Sequence, residues 1–191
     1  MTRTVAITRW RRKTAARAMP HNNLISSLEA IAHRAMGLLP RHVWATLFVR
    51  VFALTHVPLL FLARPTVKEL TDERVVVRIP LGFLSRNHLR SMYLGALAIG
   101  ADVTGGILAL ESARRAKASV VPIFKDLKAE FLKRPETDVL FTCADGPSID
   151  RAVRQCVATG ERQQIGVTVT ATAKGELVAR FAMTLSIKQR P

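Results

Sequence analysis

The stretch from Leu89 to Ala113 constrains this chain more than any other. Alanine, leucine, methionine and isoleucine spread over every helical face of it, and no proline interrupts it. A helix that is apolar all round is a buried helix, so the stretch predicts a long rod in the middle of a fold. Between Leu89 and Gly106 its only carboxylate is Asp102, and glycines stand at 95, 100, 105 and 106. An unpaired carboxylate in apolar surroundings is costly, so it is either paired or put to use. Glycines thin a helix and let another backbone or a ligand come close.

At 191 residues the chain is long enough for one domain with an appendage. Its apolar half is large enough to support a folded core. The net charge of +15 favours a polyanionic partner, such as nucleic acid, anionic lipid or a phosphorylated ligand like coenzyme A. A basic tail that serves only solubility is the plainer reading. Cys143 and Cys156 have no metal-ligand spacing and fit two inert thiols in a reducing compartment. No phosphate loop, dinucleotide fingerprint or zinc spacing is present. Ser85, Ser91 and Ser112 lack the Gly-x-Ser-x-Gly setting of a serine hydrolase.

Residues 1–20 hold Arg3, Arg9, Arg11, Arg12, Lys13 and Arg17 and no acid. They are expected to form a basic, disordered arm, or a mitochondrial transit peptide if the source is eukaryotic; otherwise the expected location is cytoplasmic. Residues 21–63 read as a helical extension. Asn23 is placed to cap a first helix ending near Gly37 or Pro40, and a second runs from about Arg41 to His56, before Pro58. The apolar run from Val43 to Ala63 is broken by Arg50, His56 and Pro58, and neither piece reaches about 18 residues. These helices are expected to cover an apolar surface of the domain, with a peripheral membrane contact as the lesser option.

Residues 64–191 are expected to form the main domain. Thr66–Leu70 and Arg74–Ile79 read as strands about a Thr71-Asp72-Glu73 turn. After the apolar rod, Ser119–Lys133 and Thr137–Ala144 alternate in part. Ser148 is placed to cap a short helix over Ile149–Ala158. Gln164–Ala173 alternates strictly, and Lys174-Gly175 turns into Leu177–Lys188. Five or six short-linked strands imply a mostly antiparallel sheet.

A curved antiparallel sheet wrapped around one central helix is an α+β hotdog architecture. Here the chain from about Pro65 to Lys188 resembles the hotdog-fold acyl-CoA thioesterases, in the branch typified by the phenylacetate-pathway enzyme. Asn87 lies fifteen residues before Asp102, and Gly95 falls on the second glycine of that branch's His-Gly-Gly. Phe131-Leu132-Lys133-Arg134-Pro135 is similar to its Phe-Leu-Arg-Pro segment, and Gly160-Glu161-Arg162 and Gly175-Glu176-Leu177-Val178-Ala179 to its closing hairpins. The sequence departs from the branch at Tyr93-Leu94-Gly95, which stands in place of His-Gly-Gly. The resemblance implies a homodimer or a dimer of dimers, with acid and amide donor supplied to one pocket by different chains. It implies no cofactor beyond the coenzyme A carried by the substrate, and no metal.

Thioester hydrolysis needs a base or nucleophile, an oxyanion stabiliser and an acyl pocket. Gly95 and Asp102 are seven residues apart, about two turns, on one helical face. First-turn amides are unpaired and sit at the positive end of the dipole, so the N–H of Leu94 or Gly95 is placed to polarise a carbonyl. Asp102 would activate water or attack, and Asn87 would orient that water or the carbonyl. Tyr93 would line the substrate site, and Lys133 and Arg134 would hold a coenzyme A phosphate. Each has a plainer role. Asp102 would pair with Arg86 or Arg90, or lie near solvent at a helix end; Asn87 would cap the helix; Tyr93 would only pack; Lys133 and Arg134 would form a solvated strand end. His88 reads as a loop residue.

Three functions follow from these residues: an acyl-CoA thioesterase, a non-catalytic hotdog module that binds an acyl group or an anionic lipid surface, and a nucleic-acid binder. Aromatic residues are sparse and no recognition motif accompanies the arm, which ranks nucleic acid last. A hotdog dehydratase generally uses a histidine with an acid, and the matching histidine is absent.

Overall fold

The computed structural model describes residues 40–190. The basic arm and the helix capped by Asn23 lie outside them. Helix α1 spans Arg41–His56 and a one-turn α2 spans Pro58–Leu62. Pro58 lacks an amide hydrogen and takes the first position of α2, which sets the break between the two. α1 buries only Ala45, Val49 and Ala53, a stripe of small side chains at four-residue spacing. Thr46 on the same helix accepts the Val67 amide at 2.9 Å, which fixes α1 to the first strand.

Strands β1 (Thr66–Leu70) and β2 (Val75–Ile79) form a hairpin whose turn is closed by Thr71, its hydroxyl accepting the Glu73 and Arg74 amides. Val75, Val77 and Ile79 are wholly buried and alternate with half-buried Val76 and Arg78, as a strand with one covered face requires. Helix α3 (Leu94–Arg115), β3 (Val120–Phe131), β4 (Val139–Cys143), α4 (Gly146–Thr159), β5 (Gln163–Ala173) and β6 (Glu176–Gln189) complete the order. All six strands join one antiparallel curved sheet in the order β1-β2-β4-β5-β6-β3.

α3 is the rod that the sheet wraps. Gly100 lets the buried Phe141 ring of β4 lie against the helix backbone, for a Cβ at 100 would sit 2.3 Å from that ring. Gly105 likewise faces Phe124 of β3, so these two glycines admit the sheet. Among the described residues α3 is the one helix long and apolar enough to cross a membrane, and it is packed on the sheet instead. α4 packs on α3 and on β5 and β6.

Three expectations need correction. The rod starts at Leu94, not Leu89, and runs on to Arg115. Residues 85–93 fold back instead: Asn87 N–H donates to Ser91 C=O, Arg90 takes a left-handed φ of 60°, and Tyr93 N–H donates to Ser85 C=O. Nor is α3 buried all round, since Gly95, Ala98, Ile99, Asp102, Gly106 and Leu110 form a stripe left at least partly open. Finally, Ser148 does not cap α4. Asp145 precedes the helix, and Ser148 lies in its first turn, accepting from Arg151.

Candidate active site

The start of α3 is where most of the expected site residues meet. Tyr93 takes the N-cap position with extended backbone and no side chain caps the helix. Leu97 N–H makes the first helical bond, to Tyr93 C=O at 3.1 Å. The amides of Leu94, Gly95 and Ala96 therefore have no acceptor within the helix, and the positive end of its dipole is presented there.

A groove of about 320 Å³ opens beside Leu94, while Tyr93 and Gly95 do not line it. Asn87, Leu94, Lys133 and Arg134 line it together with Leu97, Phe131 and Pro135. Met92 N–H donates to Pro135 C=O at 2.9 Å, which draws the loop before α3 against the end of β3. Four of the expected site residues thus share one cavity. Of the apolar members, Leu97 is expected from the sequence to help set the depth of the pocket, whereas Met92, Phe131 and Leu132 receive no role. Phe131 to Pro135 stood out only as a segment resembling a family pattern, and the pairing that brings it to residue 92 joins segments some forty residues apart.

Asn87 does not cap the helix. Its Oδ1 accepts the Leu89 amide at 2.9 Å, the Ser91 amide at 3.2 Å and the Ser91 hydroxyl at 3.2 Å. Those donors fix which end of the amide is oxygen. Only the Nδ2 hydrogens remain for a ligand, so Asn87 can donate to a carbonyl, phosphate or water oxygen.

The Tyr93 ring is exposed and leans on Gly95, lying 2.5 Å from where a Cβ at 95 would sit. Lys133 Nζ lies 3.0 Å from Glu176 and Arg134 Nε 3.9 Å from Glu136. All four side chains are more than half exposed. Pairs of this kind contribute little and yield readily to a stronger anion.

Asp102 lies two turns along α3 on the open stripe and does not line the groove. It makes no ion pair or hydrogen bond among the described residues, so neither Arg86 nor Arg90 of the same chain pairs with it. The carboxylate reaches water in the single chain, yet protein crowds it enough for burial to push its pKa above the usual carboxylate range. Water on its open side limits that rise.

The acid that α3 does bury is Glu111, which the sequence reading passed over because it lies beyond the glycine pair. Burial disfavours its charge, but hydrogen bonds from Arg114 and Arg41 outweigh this and hold its pKa below the ordinary value. Burial likewise raises the Cys143 thiol to about 12, so that thiol carries no chemistry near neutral pH. Among the described residues no three His, Cys, Asp or Glu side chains converge as metal ligands.

The profile of a domain of unknown function, DUF4442, matches residues 45–187 of the chain. The chain belongs to the DUF4442 family. No curated protein matches this DUF4442 member. Solved structures do. A Pseudomonas aeruginosa protein of unknown function, described as a probable thioesterase, is 24% identical, with a TM-score of 0.64 over 80% of this chain and 97% of its own. Zebrafish thioesterase superfamily member 2 is 18% identical, with a TM-score of 0.55 over 78% of this chain and 99% of its own. A mutant thioesterase enzyme from Staphylococcus aureus is 15% identical, with a TM-score of 0.51 over 69% of this chain and 98% of its own. At such identities the likeness establishes the fold alone: this DUF4442 member has the hotdog fold.

Proposed function

We propose that this protein hydrolyses the thioester of an acyl-CoA at a site completed by a second copy of the chain. The observation that carries the reading is the groove at the start of α3, which joins Leu94 at the uncapped helix head, the Asn87 amide group, two displaceable cations and an apolar floor. A thioester carbonyl fits against the Leu94 and Gly95 amides, its acyl chain along Leu97 and Phe131, and coenzyme A phosphates beside Lys133 and Arg134.

Asp102 supplies the base. It lies about 10 Å along the helix axis from Gly95, too far to reach a carbonyl held at the head of its own helix. The open stripe on α3 and the unpaired edge of β3, where Ile123, Leu127 and Phe131 are exposed, offer a surface on which two copies can meet. Asp102 of one copy then deprotonates a water beside the carbonyl held by the other. Hydroxide adds to the carbonyl carbon, the Leu94 and Gly95 amides and Asn87 stabilise the oxyanion, and the carbon–sulfur bond breaks. The coenzyme A thiolate leaves and regains the proton from Asp102.

The test is a panel of acyl-CoAs with released thiol measured. Turnover that falls with Asp102→Ala is the expected result; turnover indifferent to it overturns the mechanism. One observation favours a second reading, a non-catalytic acyl-binding module: the Tyr93 ring leans over Gly95 where the resembling branch keeps the helix head open. Acyl-CoA binding without turnover in wild type and in Asp102→Ala alike would favour that reading.

A further inference from the structure

The outer surface of α1 and α2 is unusual for its exposed apolar content. α1 hides only three small residues, and Leu47, Val51 and Leu54 are each more than half exposed. Trp44, Phe48, Phe52 and His56 stack in a ladder up the same helix. The surface continues along α2, where Leu59 is 64% exposed, and across a cavity of about 400 Å³ to the loop bearing Phe83, 81% exposed. Contiguous apolar surface of this kind marks an interaction site.

Its electrical setting is one-sided. From Arg41 to Lys68, the residues that build most of the face, the sequence has four Lys and Arg and no Asp or Glu. Arg50 donates to Pro65 C=O and the Thr66 hydroxyl, and neither it, Arg64 nor Lys68 makes an ion pair among the described residues. Between α1 and β1 lies a groove of about 460 Å³ that sets apolar Val43 and Leu47 beside His42, Arg50 and Lys68. No acid lines it.

We propose that this face docks on an anionic phospholipid bilayer, with Leu47, Val51, Leu59 and Phe83 entering the interface and Arg50, Arg64 and Lys68 meeting lipid phosphates. Apolar burial and basic charge together are what peripheral membrane binding requires, since neither alone is strong. A second copy on the same face would set Arg50 and Arg64, which have no ion-pair partner among the described residues, against their own kind. Nucleic acid would leave the apolar surface without a partner. The residues of this face are not among those that line the groove at the start of α3, so the proposal does not rest on the chemistry assigned there.

The experiment is sedimentation of the full chain with vesicles of phosphatidylcholine alone and of phosphatidylcholine mixed with phosphatidylglycerol. Binding to the mixed vesicles that weakens as salt rises is expected, with little binding to phosphatidylcholine alone. Leu47→Glu/Val51→Glu, which keeps the basic arm and every cation, is expected to lower the partition coefficient about ten-fold or more. Arg50→Gln/Lys68→Gln is expected to lower it about five-fold for each charge removed. If the first variant does not fold by circular dichroism, Leu59→Ser/Phe83→Ser carries the same expectation. No vesicle binding by the wild type, or full binding by these variants, overturns the proposal. So does a wild-type oligomer that Leu47→Glu/Val51→Glu dissociates while vesicle binding is kept, for a second copy would then occupy the face.

Discussion

The two ends of α3 treat charge in opposite ways. At the C-terminal end three acids are engaged. Glu111 accepts from Arg114 and Arg41, Asp72 holds Arg41 and Arg115, and Asp150 takes the Ser112 hydroxyl together with Arg115 and Arg154. At the N-terminal end the first-turn amides lack both helical acceptors and a side-chain cap, and Asp102 has no partner among the described residues. One end is locked by its own side chains; the other presents donors and an acid that a ligand or a second chain would satisfy. A single helix thus separates what holds the fold from what is open to chemistry.

The sharpest way to break this contrast is to neutralise each acid in turn. Asp102→Asn is expected to lower turnover of a cleaved acyl-CoA by about 100-fold or more without loss of stability. Its folded pKa is raised, so it binds a proton more tightly folded than unfolded. Its ionisation therefore disfavours the native state, and activity should fall as pH drops through the raised value. Steady-state rates against pH, alongside urea unfolding, check both. Glu111→Gln should do the reverse, costing about 1–3 kcal/mol by urea unfolding, with turnover by the folded protein unchanged.

Acid titration sharpens the same comparison. Hydrogen bonds from Arg41 hold Asp72 below the ordinary range. Burial opposes the ionisation of Glu111 and Asp150, but their hydrogen bonds prevail, and Asp150 lies at about 2. Carboxylates depressed in the folded state contribute stability that is complete above their unfolded values, about 4, and is lost as pH falls toward the folded ones. Thermal melts should therefore fall progressively between about pH 5 and pH 2, and that slope should shallow in Glu111→Gln. The smallest effect belongs to the groove rim. Lys133→Gln/Arg134→Gln should raise KM for acyl-CoA about three- to ten-fold with kcat held, and the difference from wild type should shrink in high salt.

Most of the fold was legible because its signals are local. Alternation in Val75–Ile79 and Gln164–Ala173 reported strands with one buried face, and Pro58 placed the end of α1. The start of α3 was misread because Leu89, Met92 and Tyr93 fit a helix by composition, while Asn87 and the left-handed Arg90 impose a turn. The open stripe was hidden for a related reason: Gly95, Ala98 and Ile99 are as apolar as the residues that pack inward. Asn87, Leu94, Lys133 and Arg134 could be named from their order along the chain. That they share a groove depends on the Met92–Pro135 bond, which joins distant segments and leaves no local mark.

The contact between Gly100 and Phe141 also restricts the order in which descendants of this sequence can change. A methyl group at 100 collides with a ring that is wholly enclosed and has nowhere to swing, so it becomes tolerable only after 141 has shrunk. The reverse order is open, at the cost of a void. Drift at these two positions is therefore directional, with the strand residue free to move first and the helix residue bound to follow.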